Sequence, residues 1–599
     1  AFIELFAREA AAEQAAAWKV RADAVGLLAK VATGGPQRSA RPTAFVEDCA
    51  VPVESMSEFI AGFRTILDRA GVSYGMFGHA DVGCVHVRPA LDLTDPEHEQ
   101  LIRSITDAVV ELVADHGGVL WGEHGRGFRG DSVASFLTPE TIEVMRLVKR
   151  AFDPDDLLNP GKLYRPAGSD RPILAVDEPP LRGQRDRLVP VAIRHRYDSA
   201  FACNGNGLCH HHGSTEVMCP SYKATGDPAL SPKARTDLLR AWLSRRAEPT
   251  GPDEKARADL EAFEDAIAAN LHQCLSCSAC TGHCPVEVDI PELKSKFLNS
   301  YYEHRRRPAA HHLLGRFERV AVTGSKLAGW APRLTALGAR PAGRLLGLVD
   351  LPVPKPPSTP GSPPPRFEPG LSQVDLVIMP EVFTTALEPD TLRRAVELLQ
   401  SMDLSVAVAR LVPSGKFDHV KGRRRAFEKS VRAQERLVRS IVDSGAQPVV
   451  IEPAVALLHR AEYVHTVAGY PGDAVRHLVE ILDRHRDRIA RSPAPAAITL
   501  LAHCTEQATA PESVAAWKRV LEAAGHTVTV PGVGCCGMAG IFGHEVENQS
   551  MSRALWDLTW ATRIDAEDAV PVATGYSCRS QAARFADRPV GHPLEHLID

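Results

Sequence analysis

At 599 residues the chain is too long for a single hydrophobic core, and its length suggests about three or four domains. Its 44% hydrophobic and 24% charged residues are those of a globular protein in water, and a formal net charge of −5 gives no overall attraction to nucleic acid. No apolar run reaches the roughly 18 to 20 residues that cross a bilayer, and no signal-peptide pattern is present, so a cytoplasmic setting is expected.

The chain opens at Ala1 inside a helix-like pattern, AREAAAEQAAAWKVRADAVGLLAK, so further residues are expected upstream. Residues 1–165 alternate helical patterns with short β-like runs, AFVEDCAVPV, GMFGHADVGCVHVRP and GGVLWGEHG, which predicts an α+β domain. Residues 166–198, rich in Pro, Asp and Arg, read as a linker. Residues 199–350 combine helix formers with seven cysteines and predict a small α-helical iron–sulfur domain. Nine prolines between Leu351 and Gly370 predict a stiff interdomain spacer. From 371 to 599, apolar runs alternate with helices: VDLVIMP, LSVAVARLVP, QPVVIEP, then AITLLAHC, HTVTVPGVG and VPVATGYSC. This is an α/β pattern, and it occurs twice, near 371–480 and 495–599. The expected fold class is therefore multidomain, with an internally duplicated α/β domain at the end.

The 13 cysteines are spread unevenly: Cys49 and Cys84 lie early, and the other eleven form three clusters. Disulfide frameworks suit small secreted chains, so clustered thiols here read as metal ligands. The run from Cys274 through Cys277, Cys280 and Cys284 to Pro285 has the C-x₂-C-x₂-C-x₃-C-P spacing of bacterial ferredoxins. In that pattern three thiolates wrap one cube and the fourth serves another. A distant Cys-Pro, Cys219-Pro220, completes the first cube. Cys219, Cys274, Cys277 and Cys280 are thus expected to ligate one [4Fe–4S] cluster, a spacing that zinc sites rarely use. Upstream, CNGNGLC has Asn206 where a thiol is expected. That leaves Cys203, Cys209 and Cys284, beside His210, His211 and His212, as a candidate second set.

His79 and His86 lie seven residues apart. In an extended strand that spacing puts them on opposite faces, so the Asp-Val-Gly between them must bend if both serve one site. Glu123 and His124 sit in the glycine-flanked WGEHGRG. Two imidazoles and a carboxylate with open positions suit a catalytic divalent metal: zinc, manganese or iron.

These residues resemble the C-terminal half of FAD-linked oxidases of the vanillyl-alcohol-oxidase type. The family's GHxGDGNxH and EHGxG motifs stand here as GHADVGCVH and GEHGRG, followed by DPDDLLNPGK. Asp81-Val82-Gly83-Cys84 replaces the usual Gly-Asp-Gly-Asn, as a subfamily variant that leaves the role of Cys84 open. Within the family the chain is most similar to long bacterial D-2-hydroxy-acid dehydrogenases that fuse the flavoprotein to iron–sulfur modules.

The resemblance implies FAD, with its pyrophosphate held mainly by a subdomain preceding Ala1, since GLLAKVATGG lacks a phosphate-loop fingerprint. It further implies that His79, His86 and Glu123 hold the divalent metal. His124 would take the substrate hydroxyl proton as the C2 hydride moves to flavin N5. Arg21 and Arg88 would contact the 2-hydroxy acid, and Asn159 of DPDDLLNPGK the cofactor. The implied substrate is D-2-hydroxyglutarate first and D-lactate second, a five-carbon diacid needing a second cation, for which Arg88 is the candidate. The implied acceptor is neither NAD nor oxygen but a quinone or an electron-transfer protein. A homo-oligomer is expected.

The last half-domain, with HCTE, GCCGMAG and GYSCRSQ, resembles the cysteine-rich CCG domain of heterodisulfide reductases and glycerol-3-phosphate dehydrogenase C subunits. That resemblance offers Cys504, Cys535, Cys536 and Cys578 as ligands of a cluster or of zinc. The earlier half carries Pro413-Ser414-Gly415 where its own CCG would fall. The alternative reading is a non-catalytic electron-transfer subunit like those C subunits. Two basic runs, HRRRP at 304–308 and KGRRR at 421–425, read as solvated faces. The alternative for the first is contact with a membrane surface where quinone is reached.

Overall fold

The computed structural model describes residues 40–248, 253–318, 320, 321, 341, 343–350, 352–356, 358, 364–370, 373–564 and 569–598, with Gln14 and Trp18. Arg21 and GLLAKVATGG lie outside the described residues. Two compact units are present: Ala1–Arg196 with Leu243–Pro249, and Tyr197–Trp242 with Thr250–Asp599.

In the first unit, β3 (Tyr74–His79) and β4 (Cys84–Leu91) form an antiparallel hairpin. β4 also pairs with β1 (Arg41–Pro42) and β2 (Cys49–Ala50), so it is the central strand. Two helices cover one face. α1 (Met56–Arg69) buries Phe59, Phe63 and Leu67, one per helical turn. α2 (Pro96–Asp115) starts at Asp95, whose carboxylate accepts from Glu97 N at 2.9 Å, and buries Ile102, Ile105, Val109 and Val113. Val85, Val87 and Leu91 of β4 pack into the same core. The alternate residues Cys84, His86 and Arg88 take the opposite face, as the two-residue period of a strand requires. α3 (Pro139–Phe152), begun by Thr138 and Pro139, is the third long helix among the described residues of the unit.

In the second unit, α4 (Glu254–His272), the short α5 (Ala279–His283) and α6 (Ile290–Tyr301) surround the ferredoxin-type cysteines. Two parallel sheets follow. The first has the order β6-β5-β7-β8, with β5 Leu376–Ile378, β6 Val406–Val408, β7 Gln447–Val450 and β8 Arg476–His477. The second has the order β10-β9-β11, with β9 Ala497–Leu501, β10 Thr527–Thr529 and β11 Val570–Ala573. These strands coincide with the six apolar runs of the sequence. Continuous apolar runs are what parallel strands buried on both faces need. One core joins the sheets: Ile378, Val449 and Leu478 pack in the same cluster as Leu500, Trp517 and Val572. Each such side chain contributes about 1.5–3 kcal/mol on burial.

The described part of the proline-rich stretch lies within this second unit. Val408 N donates to Pro365 O at 2.7 Å and Phe367 N to Val408 O at 2.9 Å, so the segment lines the edge of β6. The basic runs are only partly solvated faces: His304, Arg306 and Arg425 are exposed, but the other cations are engaged. Lys421 is buried and paired with Glu545, Arg423 pairs with Asp418 at 3.0 Å, and Arg424 with Glu292 at 2.9 Å. Arg305 pairs with Glu264 and Asp265, and Arg307 donates to the carbonyls of Lys421 and Gly422. Apart from Asp418, the acids that absorb these charges lie elsewhere in the chain, which is why a local reading of the run misses them. Among the described residues, no helix is long and apolar enough to cross a membrane.

Candidate functional site

The bend required between His79 and His86 is the hairpin turn Ala80–Gly83. It sets His79 opposite Cys84 and Phe77 opposite His86, so both histidines reach one face of the β3–β4 pair. Gly83 has φ 70°, and a Cβ there would come within 1.9 Å of Val51 O, so the turn demands glycine. The His86 ring stacks on Phe77 with centroids 4.9 Å apart.

Glu123 and His124 come from the loop after the Ala50–Val119 bridge and are fixed by their backbones. Buried Asp48 accepts Glu123 N at 2.9 Å and His124 N at 3.0 Å, one on each carboxylate oxygen. Asp48 has φ 75°, a left-handed conformation that Asp tolerates better than most residues. A single Glu123 oxygen, Oε1, then lies 2.7 Å from His86 Nε2, 3.3 Å from His79 Nε2 and 3.4 Å from His124 Nε2.

Ligand atoms of Asp48, His86, Glu123 and His124 all fall within 4.8 Å of one another, a group that takes in His124 and not His79. Buried His86 Nδ1 has no hydrogen-bond partner among the described residues, its nearest acid there being Glu47 at 3.8 Å. Imidazole and carboxylate donors so converged fit a borderline divalent cation. Cys84 Sγ stands 3.6 Å from Asp48 Oδ1 and 3.9 Å from His86 Nε2. Burial, and then the charge of Asp48, push the Cys84 thiol up to about 12, so it enters the site as a neutral group.

Arg88 is on the same face, held by Glu47 and with its guanidinium 5.8 Å from the Phe77 ring centroid. Asn159 is exposed, with φ 51°, and its side chain accepts from Lys162 Nζ at 3.3 Å. Sequence reasoning missed Glu47 and Asp48. The signal was present as two adjacent acids inside the apolar β-like run AFVEDCAVPV.

In the second unit, Cys274, Cys277, Cys504, Cys535 and Cys536 line one cavity. Cys203, Cys209, Cys280 and Cys284 line another, together with Asn206. His210, His211 and His212 do not line that second cavity; they bond to Ser231, the Gly213 amide and Tyr222. The Asn206 side chain is spent on its own turn, accepting from Leu208 N at 3.0 Å. Burial and then Cys277 push the Cys280 thiol up, while for Cys504 the hydrogen bond to Cys535 comes first and burial second. Thiols this crowded and dry hold their protons unless a metal replaces them.

Two buried cations bear on that point. Arg235, 1% exposed, places Nη1 3.9 Å from Cys219 Sγ and 3.1 Å from Ser221 Oγ. Lys294, 2% exposed, donates to the Cys274 carbonyl at 2.7 Å. Neither makes a salt bridge to a carboxylate among the described residues. A buried cation needs nearby negative charge, and thiolates around iron supply it. Cys219 and Cys274 therefore fit ligands of a [4Fe–4S] cluster, with Cys277 in the same cavity as Cys274, whereas Cys280 lines the other cavity.

Comparison with known proteins bears on both units. Residues 2–163 match the family model for FAD linked oxidases, C-terminal domain, and residues 199–288 match the 4Fe-4S dicluster domain. The chain joins an FAD-linked oxidase C-terminal domain to a 4Fe-4S domain. It is 34% identical to the D-2-hydroxyglutarate dehydrogenase of Haemophilus influenzae over 97% of this chain and 61% of that protein. The enzymes of that name from Pseudomonas putida and Escherichia coli are 34% and 33% identical, each over 97% of this chain and over 60% and 61% of those proteins. The chain thus spans about three fifths of the length of the curated relatives it matches.

Proposed function

We propose that this chain works in a flavin-dependent dehydrogenase that oxidises D-2-hydroxyglutarate to the 2-oxo acid, with D-lactate second, and passes the electrons through iron–sulfur chemistry. The observation that carries the reading is Glu123 Oε1 reaching His79, His86 and His124 at once, inside an FAD-linked oxidase domain. When bound, FAD supplies the hydride acceptor, and a divalent cation supplies a Lewis acid for the substrate hydroxyl.

The chain's own residues do the rest. His79, His86 and Glu123, with Asp48 beside them, hold the cation. His124, more exposed than His86, accepts the hydroxyl proton at a ring nitrogen. Arg88 orients a substrate carboxylate, and Asn159 meets the cofactor. Arg21 keeps its proposed substrate role on the strength of the resemblance alone.

In the second unit Cys219, Cys274, Cys277 and Cys280 carry one cluster, and Cys203, Cys209 and Cys284 are candidates for another. Residues 371–599 form a CCG-type domain of two related halves, with Cys504, Cys535, Cys536 and Cys578 holding a metal or cluster in the second. The support is that each half builds a parallel sheet whose first strand is central, β5 in one and β9 in the other. A purely electron-transferring subunit would give the histidine set no task.

Anaerobic addition of D-2-hydroxyglutarate to flavin-loaded protein tests the reading. The flavin absorbance should bleach, and an artificial dye should be reduced in turn. Flavin that stays oxidised with every 2-hydroxy acid refutes it.

A further inference from the structure

Residues 199–350 hold seven cysteines, whereas two cubes, with one terminal ligand on every iron, need eight. The shortfall has a place in the fold. Cys203, Cys209 and Cys284 line one cavity, and Asn206 stands there in the position of a ferredoxin thiol, in the spacing C-x₂-N-x₂-C. Among the described residues no carboxylate or imidazole lines that cavity.

Cys280 also reaches this cavity but couples to the ferredoxin-type run. Burial, and then Cys277 ahead of Cys274, push its thiol up, whereas on Cys209 burial is joined by Cys203, Cys219 and Cys284. Cys504, Cys535 and Cys536 line the separate cavity of Cys274 and Cys277. The remaining polar groups at the second set are engaged. Asn206 accepts from Leu208 N at 3.0 Å and donates from Nδ2 to Asn204 Oδ1 at 2.7 Å, and Lys233 pairs with Asp237 at 2.6 Å. A neutral amide held in its own turn does not replace a thiolate. Asn204, Gly205, Asn206 and Leu208 are exposed, so a fourth iron at this corner would face water without an anionic ligand.

We propose that Cys203, Cys209 and Cys284 bind a three-iron [3Fe–4S] cluster, one thiolate per iron, in place of a second cube. The assignment rests on the reading that this unit carries iron–sulfur centres, and it names the kind of centre the second set can hold. A three-iron core passes between its oxidised and reduced states by one electron, so it can carry electrons with no fourth ligand.

Three coupled ferric ions leave an oxidised three-iron cluster paramagnetic, whereas an oxidised cube is diamagnetic. EPR of the oxidised holoprotein, prepared without exposure to air, should therefore show the narrow, nearly isotropic three-iron signal. Asn206→Cys supplies the missing thiol; it should cut that signal about tenfold or more and add about one iron per chain. No such signal, a signal that appears only after exposure to air, or an undiminished signal in the variant overturns the assignment. If Asn206→Cys does not fold, Mössbauer spectra of the unaltered protein decide, because they distinguish three-iron from four-iron cores. The reduced state of the same sample separates the two readings. A cube signal there without the three-iron signal removes only this assignment, whereas protein free of iron removes the iron–sulfur reading with it.

Discussion

Arg88 grips Glu47 at two points, Nε 3.0 Å from Oε2 and Nη2 2.9 Å from Oε1, and Nη1 has no hydrogen bond among the described residues. The two-point grip fixes the guanidinium plane, and the free nitrogen remains available to a substrate carboxylate. Replacing Arg88 alone would strand Glu47 beside His86, so the informative variant is the double change Arg88→Leu with Glu47→Gln. It should raise KM for D-2-hydroxyglutarate about tenfold or more, the value of a charge-assisted hydrogen bond, and change KM for D-lactate little. Equal rises in steady-state assays on both acids would reject the role.

Asp48 sets the site without needing to touch substrate, because both of its oxygens hold the backbone of the Glu123–His124 pair. In Asp48→Asn one amide oxygen remains to serve two N–H groups, while the left-handed backbone is still tolerated. Divalent-metal affinity should fall by about ten- to a hundredfold, as for other residues that orient ligands. Metal titration followed by elemental analysis measures it, and undiminished affinity would show that the loop holds itself.

Lys294 places a buried positive charge at the Cys274 carbonyl. Such a charge favours the more negative, reduced state of a neighbouring cluster. Lys294→Met should therefore lower the cluster midpoint potential by on the order of 100 mV, the effect of one charge at about 7 Å with an effective dielectric of about 20. Lys294→Arg should restore it. Redox titration monitored by EPR reads the change, and an unchanged potential in the Met variant would refute the effect.

Glu452 should make the fold sensitive to alkali. Burial raises its carboxyl from the ordinary 4.5 to about 8, against the opposing pull of Arg579. The folded chain therefore holds this proton more tightly than the unfolded chain does. Stability is complete below about pH 4.5, declines as pH rises between the two values, and is lowest above about 8. Each tenfold gain in proton affinity is worth about 1.4 kcal/mol, so the loss reaches a few kcal/mol. Glu452→Gln should match the unaltered protein in thermal midpoint near pH 5 and exceed it near pH 9. Parallel melting curves at all pH values would contradict this.

Much of this architecture was legible in the chain. The strands β5, β6, β7, β9 and β11 stand out as short apolar runs because parallel strands bury both faces, whereas β10 buries only Val528. The ferredoxin-type spacing of Cys274, Cys277 and Cys280 is a local pattern and survives without tertiary information. His79 and His86 were legible as a pair only on condition of a bend, which the hairpin supplies. What stayed hidden depends on partners distant in sequence. Asp48 reaches Glu123 from a distant stretch of the chain, Lys421 finds Glu545, and Arg235 meets Cys219, none of which any local window contains.

The thiol-bearing sheet is fastened to its cysteine-free neighbour by more than apolar contact. Glu452 accepts the Tyr576 amide at 3.1 Å, Glu388 receives the Arg579 guanidinium at 2.6 Å, and His477 meets Ser513 at 3.0 Å. An excised C-terminal fragment beginning near residue 495 would leave Arg579 as a buried charge stripped of its counterion and bare one side of Trp517 and Leu500 to water. The smallest autonomous redox module in this region must therefore retain the sheet that contributes no sulfur.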